Sequence, residues 1–220
     1  GRFVMALICA TVTTNKSNRE FHMSGAQAEL RHIFCLEGDW NSDLRLKSSI
    51  LAGLELVKST NDIEYIHKTC STAEEFYQRL DCLIQGSNSA RSKYGKFKIV
   101  YLAFHGDQGS LYMGDNSEVT ISLDELAEYY TDSFTGKIIH FGSCETLDMP
   151  EKDLRQFLKT TGADAIAGYT TEVDFLSSTL VDLLFFETCQ SYTTMAAIKN
   201  NMFKKYEGPC HDLGFVMVHR

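Results

Sequence analysis

Short apolar runs alternate along this chain with longer stretches in which apolar residues recur every three or four positions. That alternation predicts an α/β sheet. His32-Ile33-Phe34-Cys35-Leu36 predicts a first strand that runs into Glu37-Gly38-Asp39-Trp40. Leu46, Ile50, Leu54 and Val57 then share one face of a helical period. Ile63–His67 predicts a second strand, and Ser71-Thr72-Ala73-Glu74 reads as a capping box opening a helix with Phe76, Leu80 and Leu83 as its buried stripe. A polar loop from Gly86 to Gly95 follows.

The second half repeats the alternation. Phe97–Phe104 predicts a third strand running into His105-Gly106. Leu111-Tyr112-Met113 and Val119-Thr120-Ile121 flank Gly114-Asp115-Asn116, a hairpin signal. After Ser122–Glu125 comes a short helix through Tyr130, and the fourth strand, Lys137–Ser143, delivers Cys144. Pro150 starts a helix carrying Leu154, Phe157 and Leu158, which Gly162 stops. Ala165–Tyr169 predicts a fifth strand, Leu176, Leu180, Leu183 and Leu184 a further helix, and Gly214–Val218 a last strand. No repeat or linker marks a second domain, so residues 31–220 are read as one domain and 1–30 as an N-terminal extension. Within the extension, Val4–Ala10 resembles the core of a signal peptide but is short and preceded only by Arg2. An extra strand, or Met23 as the native start, are the other readings.

Composition narrows the function. A chain of 220 residues suits one domain with a sizeable core, and 44% apolar content with only two prolines argues for a globular protein. A formal charge of −8 and a pI near 5.4 argue against nucleic acid or an anionic membrane as partner, and suit basic peptides. Seven cysteines without regular spacing, most of them in apolar segments, predict a reducing cytoplasm. No stretch approaches the roughly 18–20 apolar residues that a membrane span needs.

The candidate chemistry lies at two strand ends. In parallel sheets reactive groups sit just past the carboxyl ends of strands, so neighbouring third and fourth strands would bring His105 to Cys144. A thiol with a pKa of about 8.5 is mostly protonated at neutral pH and needs a base. His105 can take its proton, and a helix or turn after Cys144 would aim N–H dipoles at the thiolate. Gly106, lacking Cβ, lets its N–H join that of Cys144 in an oxyanion hole. His140 lies inside a strand and is expected to pack in or beneath the sheet. Cys35 and Cys189 fall on apolar faces, and Cys210-His211 lacks a partner at metal-ligand spacing. The chemistry requires neither metal nor cofactor. No P-loop, dinucleotide fingerprint or serine-hydrolase elbow is present. The bland alternative is a buried cysteine acting as a small hydrophobe.

The order strand–His105-Gly106, hairpin, strand–Gly142-Ser143-Cys144, helix, strand–Gly168-Tyr169-Thr170 resembles the caspase-like (clan CD) cysteine peptidases. These include caspases, gingipains, separases and bacterial CHAT-domain proteases, and the chain looks most similar to small bacterial CHAT-type proteins. The resemblance covers residues 31–220, with the His-Gly and Ser-Cys blocks as its specific motifs. It implies a caspase-like three-layer sandwich: a mostly parallel sheet of about six strands with helices on both faces. It also implies a His105–Cys144 dyad, oxyanion donors at Gly106 and Cys144, and a peptide or protein substrate. In this clan, segments after the first and fifth strands line the pocket for the residue before the cut. Here they hold Glu37 and Asp39, and Glu172 and Asp174, which implies cleavage after Arg or Lys. Asp174 is the best match, with Glu172 open by a register shift. Two departures are Ser143 before the cysteine and Glu145-Thr146 after it, where the Glu145 carboxylate would raise the thiol pKa. Bacterial relatives are often regulated effectors in stress or antiphage signalling, which implies an activating partner or small signal. The rivals are a catalytically inactive binding or scaffolding module and a small-molecule amidase.

Overall fold

The computed structural model describes residues 29–88, 92–115 and 119–220. The expected N-terminal extension therefore lies almost wholly outside the described residues, as do the middle of the loop after Gly86 and Asn116 of the hairpin. Six strands form the main sheet: β1 (His32–Glu37), β2 (Tyr65–Thr69), β3 (Phe97–Ala103), β7 (Ile138–Phe141), β8 (Ala165–Tyr169) and β9 (Phe215–His219). Their order is β2-β1-β3-β7-β8-β9, with every pair parallel except β8–β9. Three short strands, β4 (His105–Asp107), β5 (Ser110–Tyr112) and β6 (Thr120–Ser122), make a separate antiparallel sheet. Helices are α1 (Leu51–Asn61), α2 (Ala73–Ser87), α3 (Leu123–Tyr129), α4 (Glu151–Thr161), α5 (Phe175–Ser191), α6 (Met195–Lys205) and α7 (Glu207–Asp212).

A strand's side chains alternate between faces, so continuous apolar runs supply two cores at once. Phe34, Leu36, Val100, Leu102, Ile139 and Phe141 face α2, α3 and α4. Ile33, Cys35, Ile99, Tyr101, Ile138 and Ala167 face α1, α5, α6 and α7. The result is the expected three-layer α/β sandwich. Capping chemistry agrees at α4, where Pro150 is the N-cap and Gly162 the left-handed C-cap at φ +74°.

Three expectations shift. The first helix begins at Leu51, and Leu46, 57% exposed, lies in the preceding loop. The cap of α2 is Thr72, whose side chain accepts from the Glu75 amide, one residue later than the pattern suggested. On α5, Leu176 and Leu180 are 66% and 54% exposed, while Val181, Asp182, Phe185, Phe186 and Cys189 are buried. An acidic residue on the inward face broke the apolar stripe and made the outer leucines look like the core.

That acidic residue clamps the sheet. Tyr101 Oη donates to Asp182 Oδ2 at 2.6 Å, and Tyr169 Oη donates to Oδ1 at 2.5 Å. His140 Nε2 meets the same Oδ1 at 2.6 Å. One carboxylate thus joins β3, β7 and β8 to α5, with all four residues at most 2% exposed. Burial, and then the Asp182 charge, push both tyrosine hydroxyls well above their ordinary pKa, so both stay protonated donors. Asp182→Ala leaves the Tyr101 hydroxyl and His140 Nε2 without their partner, while Tyr169 keeps Ser178 O at 2.9 Å, and is predicted to lower the unfolding free energy by about 3–5 kcal/mol. Leu180→Ser on the outer face should change it by less than about 0.5 kcal/mol. Urea unfolding followed by circular dichroism reads both.

Candidate active site

The sheet edge above β3 and β7 carries the candidate groups. These strands pair in parallel from Ile99↔Ile138 to Leu102↔Phe141, and the Gly142 amide extends the ladder to Leu102 O at 3.0 Å. Both chains leave the sheet side by side. One turns at Phe104 into β4, which starts at His105, and the other reaches Cys144 through Gly142 and Ser143. His105, Gly106, Cys144, Glu145 and Glu172 line one cleft of about 430 Å³, together with Asp107, Tyr112, Gly114 and Asp115. A larger groove of about 740 Å³ between α1 and α5 contains none of these groups.

His105 Nε2 lies 3.0 Å from the Trp40 carbonyl oxygen. A carbonyl only accepts, so Nε2 carries the proton and donates it, leaving Nδ1 as the basic nitrogen. The Trp40 ring meets His105 edge-on at 5.3 Å and Phe175 at 5.3 Å. Cys144 is half-buried and in contact with the segment after β8. Its Sγ is 3.4 Å from Val173 O and accepts from the Val173 amide at 3.5 Å. No hydrogen bond joins His105 to Cys144 in this resting geometry. Burial pushes the thiol above its ordinary pKa, the Val173 amide pulls it down, and the Glu172 and Glu145 carboxylates push it up again.

After Cys144 the chain forms a turn, with α4 beginning only at Glu151, so the thiol does not sit at the start of the helix that follows it in sequence. Glu145 sits in the left-handed region at φ +50°, held by its amide on Thr171 O (3.1 Å). The Cys144 amide is bonded to no backbone carbonyl among the described residues, and it adds a small downward pull on the pKa of its own thiol. Gly106 is packed so closely that a Cβ would stand 2.1 Å from Thr146 Oγ1 and 2.9 Å from Cys144 O. Its missing side chain is what lets the two strand ends approach.

The acidic residues sort differently from the sequence reading. Of the four acidic residues read as pocket residues, Glu37, Asp39, Glu172 and Asp174, only Glu172 lines the cleft. Asp174 is the N-cap of α5, accepting from the Ser177 amide at 2.9 Å. Asp39 is exposed and accepts from Ser71 Oγ at 2.8 Å. Glu37 is 2% exposed and is held by four groups. Trp40 Nε1 and the Ile50 amide donate to Oε1 at 2.6 and 2.8 Å. Ser49 Oγ donates to Oε2 at 2.7 Å, and His67 Nε2 is 2.6 Å from it. Burial pushes this carboxyl up, but bonds from His67, Trp40, Ser49 and Ile50 outweigh it and hold the pKa below the ordinary value. Sequence reasoning did not pick out Asp107, Asp115 or Trp40 for the site. They reach it through the small sheet and the β1–α1 loop, whose pairing has no periodic signature. His140 is in the sheet as expected. Cys210 is buried, and among the described residues no three His, Cys, Asp or Glu side chains are grouped to hold a metal ion. No helix among them is long and apolar enough to cross a membrane.

The six-stranded sandwich has counterparts among solved structures. The Drosophila initiator caspase Dronc matches with a TM-score of 0.50 at 8% identity, over 88% of this chain and 81% of that one. Caspase-1 from Spodoptera frugiperda matches with a TM-score of 0.51 at 14% identity, over 88% of each chain. The fold is caspase-like. The chain belongs to the family described as "Family of unknown function (DUF6642)", whose model matches residues 30–219. Comparison with curated proteins finds no match.

Two predictions follow from the electrostatics. A thiol raised by burial and two carboxylates should alkylate slowly near pH 7 and faster as the pH rises past the ordinary thiol range. In a background lacking the exposed Cys82, Glu172→Gln and Glu145→Gly should each speed iodoacetamide labelling of Cys144 several-fold at neutral pH. Glu145→Gly should also raise stability by about 1 kcal/mol by relieving the left-handed backbone. For Glu37, a folded pKa below the ordinary 4.5 means its stabilisation is fully present above that pH. The stabilisation is lost as pH falls through the folded value. Glu37→Gln should therefore flatten the acid limb of a stability-against-pH curve measured below about pH 4.5.

Proposed function

We propose that this protein is a cysteine endopeptidase acting through Cys144 and His105, with cleavage after Arg or Lys. The observation that carries the proposal is the shared cleft. Adjacent parallel strands deliver a thiol and an imidazole whose Nε2–H is tied to a backbone carbonyl. In the reaction Nδ1 of His105 takes the Cys144 proton, and the thiolate sulfur attacks the peptide carbonyl. The amides of Cys144 and Gly106 receive the oxyanion. His105 returns the proton to the leaving amine, and water then hydrolyses the acyl-enzyme. Within clan CD we place the chain nearest the small CHAT-type proteases on its His105-Gly106 and Gly142-Ser143-Cys144 blocks.

The preference for a basic residue is supported by the cleft lining, which contains Asp107, Asp115, Glu145 and Glu172 and neither Lys nor Arg. It also resolves the departure at Glu145. Burial is the main reason the thiol stays protonated, and the two carboxylates that add to it are neutralised when a substrate guanidinium or ammonium arrives beside them, so binding the right side chain favours the thiolate. The Val173 contacts on Sγ support a latent resting state, which an activating partner or small signal would relieve by moving the segment between β8 and α5.

The test is a proteome-wide cleavage-site profile of the wild type against Cys144→Ala. New ends generated after Arg or Lys, absent in Cys144→Ala and His105→Ala, are expected. Glu172→Gln should lower kcat/KM on such substrates by about tenfold to a hundredfold, the range of one charge-assisted contact. Cuts only after Asp sink the pocket assignment. Absence of any Cys144-dependent cut points to a binding module.

A further inference from the structure

Glu37 looked like a specificity residue in the sequence, yet the structure buries it beneath the loop that holds His105. Its two oxygens are fixed by donors from three elements: the Ile50 amide and Ser49 at the start of α1, His67 on the edge strand β2, and Trp40 in the β1–α1 loop. Four partners saturate this carboxylate. The Trp40 indole is clamped to it at 2.6 Å on one side and wedged between the rings of His105 and Phe175 on the other. The carbonyl of that same residue accepts the His105 Nε2–H. A loop carbonyl points where its residue's backbone points, and the backbone of Trp40 is fixed by what its side chain grips.

We infer that Glu37 is a positioning residue: by gripping the Trp40 indole it aims the Trp40 carbonyl at His105 Nε2 and so fixes the imidazole tautomer with a bare Nδ1. The inference rests on the reading of His105 as the base of a Cys144 peptidase. It assigns Glu37 to the base rather than to substrate. The charge of Glu37 touches no reacting atom, and the indole between Glu37 and His105 packs against the His105 ring. Their effect is to keep the acceptor in place, since a His105 that loses it divides between two tautomers, only one of which can take the thiol proton.

Imidazole ¹⁵N spectra of the protein, with the His105 signals identified by their loss in His105→Ala, test this directly. The wild type should show Nε2 protonated and Nδ1 bare. Trp40→Phe keeps the ring and the carbonyl but deletes the one N–H that Glu37 grips, and should move both nitrogens toward the averaged shifts of a tautomer mixture. Glu37→Gln, whose amide can face Ser49 and His67 while its carbonyl oxygen still accepts from Trp40 Nε1–H, should keep the tautomer fixed, whereas Trp40→Phe should slow Cys144 alkylation about tenfold. Ser49→Ala, which removes a donor to Oε2 and not to the Oε1 that holds Trp40, should lower stability with no change of tautomer. A fixed Nε2–H in a folded Trp40→Phe variant overturns the inference. Alkylation of Cys144 that His105→Ala leaves unchanged overturns the peptidase reading instead, so the two fail separately.

Discussion

Parallel hydrogen bonding between β3 and β7 is the constraint on which the rest of the site depends. It sets Leu102 beside Phe141, and from there the two chains rise together, one to His105 and the other to Cys144. A shift of one residue would turn every side chain to the opposite face and carry Tyr101 or His140 away from Asp182. Asp182 adds a polar clamp from below, binding a tyrosine of β3, a histidine of β7 and a tyrosine of β8 to one helix. Close packing carries this order up to the site: a Cβ on Gly142 would stand 2.5 Å from the Tyr101 ring. The segment before the nucleophile thus lies directly on the clamped side chain.

Acidic residues around this edge divide into structural and chemical groups by burial and by partner. Glu37 is buried and saturated with donors, Asp174 caps a helix, and Asp39 bonds a serine hydroxyl. Glu172 and Glu145 instead line the cleft with the thiol and oppose its ionisation. A cysteine raised by burial and two carboxylates is a poor nucleophile until a positive charge joins it. In the proposed reaction, substrate recognition and nucleophile activation are therefore a single electrostatic event.

Much of this was legible in the sequence because apolar periodicity and strand-end chemistry are local signals. The strands of the main sheet, the α4 caps at Pro150 and Gly162, and the neighbouring ends at His105 and Cys144 all follow from short stretches read on their own. What escaped depended on tertiary partners. Asp182 was invisible as a core residue because a charged side chain is buried only when three distant groups meet it, and its presence disguised the inward face of α5. Glu37, Asp39, Glu172 and Asp174 all read as acidic positions at strand ends, with Asp174 preferred. Only the donors around Glu37 and the helix after Asp174 separate them from Glu172. Trp40 had no motif at all, since its part lies in a backbone carbonyl that any residue carries.

The central claim is that Cys144, assisted by His105, attacks a carbonyl beside a basic side chain. The most direct measurement is peptide mapping after exposure to a short peptidyl acyloxymethyl ketone ending in Arg, run beside the same reagent ending in Asp. The account predicts a single thioether on Cys144 with the Arg reagent, strongly reduced in His105→Ala and weak with the Asp reagent. Labelling that spreads to the exposed Cys82, or that His105→Ala leaves intact, would contradict it.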